Sequence, residues 1–270
     1  MNDLEARLEE EASGFAGRVG YSLANLSTGE EISRNGDDPF PTASTVKLPI
    51  LTAFHAFVEA GTASWADTTA VDTEYSRGGS GILQYLSVPQ LSYKDAAWLM
   101  ICLSDNFATN LLLRTMTLDE TNRIILEVVG EGIKVNDYAG FQPGKSSGSM
   151  GQTTPSAFGR YLKDLANDGL PGAAATRAVA KQQFYHNSIP RYLPLDVFDP
   201  DAPGTLQIVH KGGSMPGVRA DLALLTMGET TVTLAIMTAD ADDKAGTPQN
   251  EGERCIGSLA RIAYDAWLAQ

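Results

Sequence analysis

Three short groups of residues in this chain have the types and spacing to do chemistry. Ser44-Thr45-Val46-Lys47 sets a hydroxyl and an amine three positions apart. On a helix that is about one turn, which brings the amine beside the hydroxyl. A serine hydroxyl is a poor nucleophile until a base removes its proton. A lysine serves as that base once burial and nearby cations lower its pKa. A helix N-terminus adds free backbone N–H groups and a positive dipole end that favour a developing oxyanion. Ser-x-x-Lys arises by chance roughly once in a chain of this size, so alone it also reads as an ordinary helix start.

Ser104-Asp105-Asn106 is the second group. Asp105 reads as a helix cap that accepts backbone N–H bonds. Ser104 and Asn106 then flank it as a hydroxyl proton carrier and an amide. This tripeptide occurs by chance in only a few per cent of chains, roughly. Lys211-Gly212-Gly213 is the third, expected at the end of a strand, where glycines let a substrate backbone approach and the lysine presents a charge. A strand end followed by a turn explains it equally well.

The elements that must position these groups follow from periodicity. Leu4, Leu8, Ala12 and Phe15 predict a first helix capped by Asn2 or Asp3. Val19–Leu26 alternates as a strand, Ser27–Gly29 turns, and Glu31–Ser33 returns. From about Thr45 the period is helical, with Leu51, Phe54 and Val58 on one face and Gly61 as the stop. Ser92–Asp95 resembles a capping box before Ala96, Leu99, Met100 and Leu103. A helix through Phe107–Leu113 follows the second group, and Thr154-Pro155 starts another, ending at Gly169. Tyr138–Gly151, with five Gly or Pro and three Ser, reads as a long loop. Strands are expected at Leu206–His210, Val218–Leu225 and Thr230–Met237, then a closing helix with Ile256, Leu259, Ala263 and Trp267. The order implies an α+β fold. An antiparallel sheet from both chain ends (1–40 and 203–270) is flanked by terminal helices and receives an inserted all-helical domain (41–202), with the site between them.

Composition narrows the function classes. The chain has 270 residues, 20 Lys plus Arg against 33 Asp plus Glu, and a formal net charge of −13. Such a chain repels phosphate backbones, so no nucleic-acid partner is expected. No apolar run of about 18 residues exists, so no membrane span is expected. The acidic start, MNDLEARLEEEASGF, is not a signal peptide, which leaves two compartments open: cytoplasm, or periplasm and exterior after removal of a signal. Cys102 and Cys255 read as buried thiols, with one bridge as the alternative. His55, His186 and His210 are not clustered, so no metal site or cofactor is expected.

Taken together, and in this order, the three groups resemble the serine-x-x-lysine, Ser-Asp-Asn and Lys-Thr-Gly signature of class A β-lactamases and penicillin-binding proteins. The likeness runs along nearly the whole chain. PTASTVKLPI resembles the family's nucleophile helix, LSDNFATNLLL its second motif, QTTPSAFGRYL the helix after its omega-shaped loop, and HKGGSMPGVRADLALL its third-motif strand and neighbour. The resemblance implies a monomer acting on a small-molecule substrate, a β-lactam or an acyl-D-Ala-D-Ala-like peptide. It implies Ser44 as acylated nucleophile and Lys47 as its base or proton relay. Ser104 would pass the proton to the leaving nitrogen, and Asn106 would bind the substrate's side-chain amide. Lys211 would set the local potential and hold Ser104 and the substrate carboxylate. The backbone N–H groups of Ser44 and Ser214 would form the oxyanion hole beside Gly213. Arg219 would support the substrate carboxylate, with a surface salt bridge as its plainer reading.

Two departures from that family stand out. Gly212 replaces the usual Thr or Ser, so a hydroxyl contact to the substrate carboxylate is missing unless Ser214 supplies it. Between Asp137 and Thr153 there is no Asp or Glu, whereas class A β-lactamases carry a Glu-x-x-Leu-Asn motif whose glutamate activates the deacylating water. Asp137, the nearest carboxylate, reads as a cap or structural pair. The expected activity is therefore acyl-enzyme formation on Ser44 with slow hydrolysis, which a glutamate placed near Gly140 is expected to speed. A D,D-peptidase or esterase is the alternative, and a catalytically silent penicillin-binding protein the third reading.

Overall fold

The computed structural model describes residues 3–140, 149–196, 198–199, 202 and 204–269. From the N-terminus come α1 (Asp3–Ser13), β1 (Arg18–Asn25), β2 (Glu31–Arg34), β3 (Phe40–Pro41) and α2 (Lys47–Glu59). Next are β4 (Thr68–Ala70), β5 (Gln90–Ser92), α3 (Tyr93–Cys102), α4 (Asn106–Met116) and α5 (Leu118–Val128). β6 (Ile133–Val135), β7 (Gly151–Thr153), α6 (Pro155–Ala166) and α7 (Ala173–Ala180) follow. The chain closes with β8 (Gln207–Met215), β9 (Val218–Met227), β10 (Thr230–Ala239) and α8 (Glu251–Trp267).

Strands from both chain ends form one antiparallel sheet in the order β2-β1-β10-β9-β8. Successive side chains of a strand point to opposite faces, and β9 and β10 are apolar on both. Val218, Ala220, Leu222, Ala235 and Met237 pack with the helices between α2 and α7. Ala223, Leu225, Val232, Leu234 and Ile236 pack with Leu4, Leu8 and Ala12 of α1 and with Ile256, Leu259, Ala263 and Trp267 of α8. The α+β architecture is thus as the sequence implies: a sheet between terminal helices on one face and a helical body on the other.

Local signals explain most element ends. Ser92 caps α3, and its hydroxyl also bonds the Asp95 carboxylate at 2.7 Å. Thr154 accepts the Ala157 N–H ahead of Pro155, and Asn250 accepts from Gly252 and Glu253 at the start of α8. Asn2, the alternative cap of α1, lies outside the described residues, as does the 141–148 part of the loop expected at Tyr138–Gly151. The 41–202 span also carries short strand pairs, β4 with β5 and β6 with β7, too brief for periodicity to register. β8 corrects one expectation. It does not end at His210 but runs on to Met215, pairing Gly212 with Asp221 and Gly213 with Ala220. Two glycines and a serine lack strand propensity, yet the ladder with β9 carries them.

Candidate active site

Ser44 sits in a 3-10 turn, Ala43–Val46, that runs directly into α2. It is therefore just ahead of the α-helix rather than in its first turn, and the Lys47 backbone N–H closes the turn on Ser44 O. Ala43 holds a left-handed φ of 45°, and Ser104, across the cleft, one of 52°. Backbone strain of about 1–3 kcal/mol per residue is kept at such positions when the surroundings enforce it.

Lys47 is wholly buried, and its amine reaches the second motif: Ser104 O at 2.7 Å, Asn106 Oδ1 at 2.8 Å and Ser104 Oγ at 3.2 Å. Burial, and then the charge of Lys211, hold its pKa well below that of an exposed lysine, opposed by Asp105. A neutral amine keeps two N–H bonds, which suit the two close carbonyl oxygens, and leaves its lone pair as a proton acceptor. Lys211, also fully buried, bonds Ser104 Oγ at 3.1 Å and Gly212 O at 2.7 Å. Burial brings its pKa down to about 7 against the pull of Asp221 and Cys102. One hydroxyl therefore bridges two buried amines with lowered pKa values. Cys102 and Cys255 are both free and buried.

Asp105 caps α4 as expected, and does more. Its carboxylate accepts the N–H groups of Ala108 (2.9 Å), Ile82 (2.7 Å) and Leu83 (2.8 Å), so it ties a rim segment of the cleft to the helix. Gly81 lies so close that a Cβ there would stand 2.2 Å from that carboxylate. Asn106 donates from Nδ2 to Gly78 O at 3.1 Å, and its N–H reaches Ser80 O. Asn110, one turn further on the same face, holds both rims: its amide bonds Tyr75 O on one side and the N–H and C=O of Ala139 on the other.

On the sheet side, β8 presses against the Ser44 turn. A Cβ on Gly213 would lie 2.6 Å from Ser44 N and 2.9 Å from Thr45 N, so only glycine allows that approach. Arg219 is not at the surface. It is buried and donates to Glu253 Oε1 (3.0 Å), Met215 O, Val218 O and Ala245 O. Glu253 in turn accepts from Ser188 Oγ. Two cavities meet at Ser44. One, about 220 Å³, holds Ser104, Gly212, Gly213, Asp221, Glu253 and Ser188. The other, about 480 Å³, holds Asn106, Tyr138, Ala139, Gly140 and Met150. Ser44, Ser80, Ser214, Arg219 and Gly246 line both.

Every residue given a site role from the sequence is thus in or beside one cleft, although the described bonds of the Lys47 amine go to Ser104 and Asn106 rather than to the Ser44 hydroxyl. Ser80, Asn110, Asp221 and Glu253 were missed. Asn110 had a signal in its i+4 spacing from Asn106, and Asp221 one as a lone acid in an apolar strand. Glu253 and Ser80 had none. Asp137 is a structural pair, bonding Arg77 at 3.1 Å and the Tyr138 N–H at 2.7 Å. Gly144-Lys145-Ser146-Ser147-Gly148 spells the Gly-x-Ser-x-Gly of α/β-hydrolases, but it lies outside the described residues, between β6 and β7.

Comparison with known proteins agrees with this fold. A beta-lactamase of Rhodobacter capsulatus is 28% identical over 183 residues, 61% of this chain and 56% of that protein, so the match spans little more than half of the relative's length. The crystal structure of a beta-lactamase from Sphaerobacter thermophilus superposes with a TM-score of 0.82 at 26% identity, covering 97% of this chain and 96% of that one. A mutant of PBP-A, solved as an acyl-enzyme complex with penicillin G, shares the fold with a TM-score of 0.82 at 23% identity, covering 98% and 96%. The sequence model of the beta-lactamase enzyme family matches residues 3–267. With the three motifs gathered around one cleft and that match spanning the fold, the chain belongs to the beta-lactamase enzyme family.

Proposed function

We propose that this protein is a serine hydrolase that opens β-lactam amides through an acyl-enzyme on Ser44 and releases the product slowly. One observation carries the reading: Ser104 Oγ is shared by two wholly buried amines, Lys47 and Lys211, in the cleft that holds Ser44. A lysine kept neutral by burial is a base at neutral pH. Lys47 takes the Ser44 proton as Oγ attacks the carbonyl carbon, and the N–H groups of Ser44 and Ser214 receive the oxyanion. The C–N bond then breaks, and Ser104 delivers a proton to the departing nitrogen, replenished from its lysine neighbours. Asn106 and the larger cavity receive the acyl side chain. Gly213 lets the two oxyanion donors come together, while Lys211 holds Ser104 from the sheet side and Arg219, paired with Glu253, lines the smaller cavity.

Deacylation lacks an obvious base. No carboxylate occurs from Tyr138 to Gln152, and Asp137 is engaged by Arg77. A positioned base typically contributes ~10²–10⁴-fold, so the acyl-enzyme accumulates. That same gap favours a second reading, a D,D-peptidase or esterase with the same nucleophile. The sheet part (1–40 and 203–270) and the helical insertion (41–202) act as the two walls of the cleft, in a monomer. Rapid mixing with a chromogenic cephalosporin tests the reading. The expected result is a burst equal to the enzyme concentration, then a low steady rate. Rapid steady hydrolysis with no burst contradicts it.

A further inference from the structure

Gly212 opens a gap in the wall of the smaller cavity. It pairs with Asp221 across the β8–β9 ladder, and a Cβ at 212 would sit 3.8 Å from Asp221 Cγ and from both carboxylate oxygens. With no side chain there, the Asp221 carboxylate lines the cavity although only 1% of the residue is exposed. Its described partners are the Ile189 N–H on Oδ2 (3.0 Å) and His210 Nδ1 against Oδ1 (3.3 Å). Two oxygens offer about four acceptor sites, so capacity remains. Glu253, the second carboxylate of the same cavity, is balanced by Arg219, whose Nε, Nη1 and Nη2 all donate within the protein. Lys211, fully buried behind this wall, is directed to Ser104 Oγ and Gly212 O.

This cavity holds Ser104 but not Asn106, while the larger one holds Asn106 but not Ser104. If Ser104 protonates the leaving nitrogen, the leaving group occupies the smaller cavity. We propose that this subsite takes an uncharged group bearing N–H donors, a carboxamide, where penicillins carry a carboxylate, and that Asp221, uncovered by Gly212, is the acceptor that selects it. The proposal rests on the acyl-enzyme reading above. A hydrogen bond to a charged acceptor, set against repulsion of an anion at the same place, gives a preference of about 10-fold or more.

The test compares benzylpenicillin with its carboxamide. The rate constant for adduct formation is read by intact-protein mass, each normalised to the compound's own alkaline hydrolysis. The wild-type chain is expected to favour the carboxamide by about 10-fold or more. Asp221→Asn should shrink that preference to within about 3-fold. Gly212→Thr, whose Cβ meets only ordinary contacts, should shift it toward the carboxylate by covering Asp221. A wild-type preference for the carboxylate, or a carboxamide preference unchanged in both variants, overturns the proposal. No adduct with either compound overturns the acyl-enzyme reading itself, and the subsite with it.

Discussion

Replacing Asp105 with alanine tests how the second motif is held. The carboxylate accepts three backbone N–H bonds of 2.7–2.9 Å from a position 1% exposed. Leu83 and Ala108 are fully buried, so their orphaned N–H groups each cost about 1–3 kcal/mol. Ile82 is 45% exposed, and its N–H recovers a bond to water at small cost. The Ala108 bond is itself the helix cap, so the two orphaned groups together give a destabilisation of about 2–6 kcal/mol. For a chain of this size that lowers Tm by roughly 10 °C. The assay is urea unfolding of wild type, Asp105→Ala and Asp105→Asn at constant m-value, with the amide expected to fall between the other two. A loss below about 1 kcal/mol, with turnover abolished, would refute the reasoning and make Asp105 a participant in the chemistry.

Lys47→Ala should slow acylation by about 10²–10⁴-fold, and the wild-type rate should fall as pH drops through the lowered pKa of that amine, a limb the variant lacks. Because the unfolded chain holds the Lys47 and Lys211 protons to higher pH than the folded one, both groups make stability rise with pH above about 7 toward the ordinary lysine range. Urea midpoints across that window check the sign. Gly213→Ala should cost about 1–3 kcal/mol and slow acylation, since its Cβ meets backbone nitrogens of the Ser44 turn; an unperturbed variant would show that the β8 contact is loose. A glutamate in the loop should speed deacylation at Ala139, which lines the cavity and is pinned by Asn110. It should not do so at Gly140, where φ is +102° and a Cβ would lie 2.8 Å from Arg77 O. Steady-state turnover of a cephalosporin by the two variants separates them.

The parts legible in the sequence are those written locally. Capping residues such as Ser92, Asp105 and Thr154 state where helices start, and the alternation in β9 and β10 states which residues face which core. Lys47, Ser104 and Lys211 were recognisable because their motifs are short and contiguous. What stayed hidden depends on residues brought together by the ladder and the turns. Nothing near Glu253 in sequence says that it meets Arg219, 34 positions away. Gly212 and Gly213 read as a strand end because glycine carries no strand signal, yet their lack of side chains is what admits the Ser44 turn and uncovers Asp221. Of the helices not foreseen, α7 is short and set by its neighbours more than by its own periodicity, whereas α5 had a legible start in Thr117-Leu118-Asp119-Glu120 that sequence reasoning missed.

The most direct test of the account is the mass of the intact protein after brief mixing with benzylpenicillin, followed over time and mapped by peptide digestion. The account predicts an increment of one whole penicillin, on the peptide containing Ser44, that forms within the mixing time and decays slowly, and no increment in a folded Ser44→Ala protein. An adduct on any other residue, or one that persists in Ser44→Ala, would contradict it.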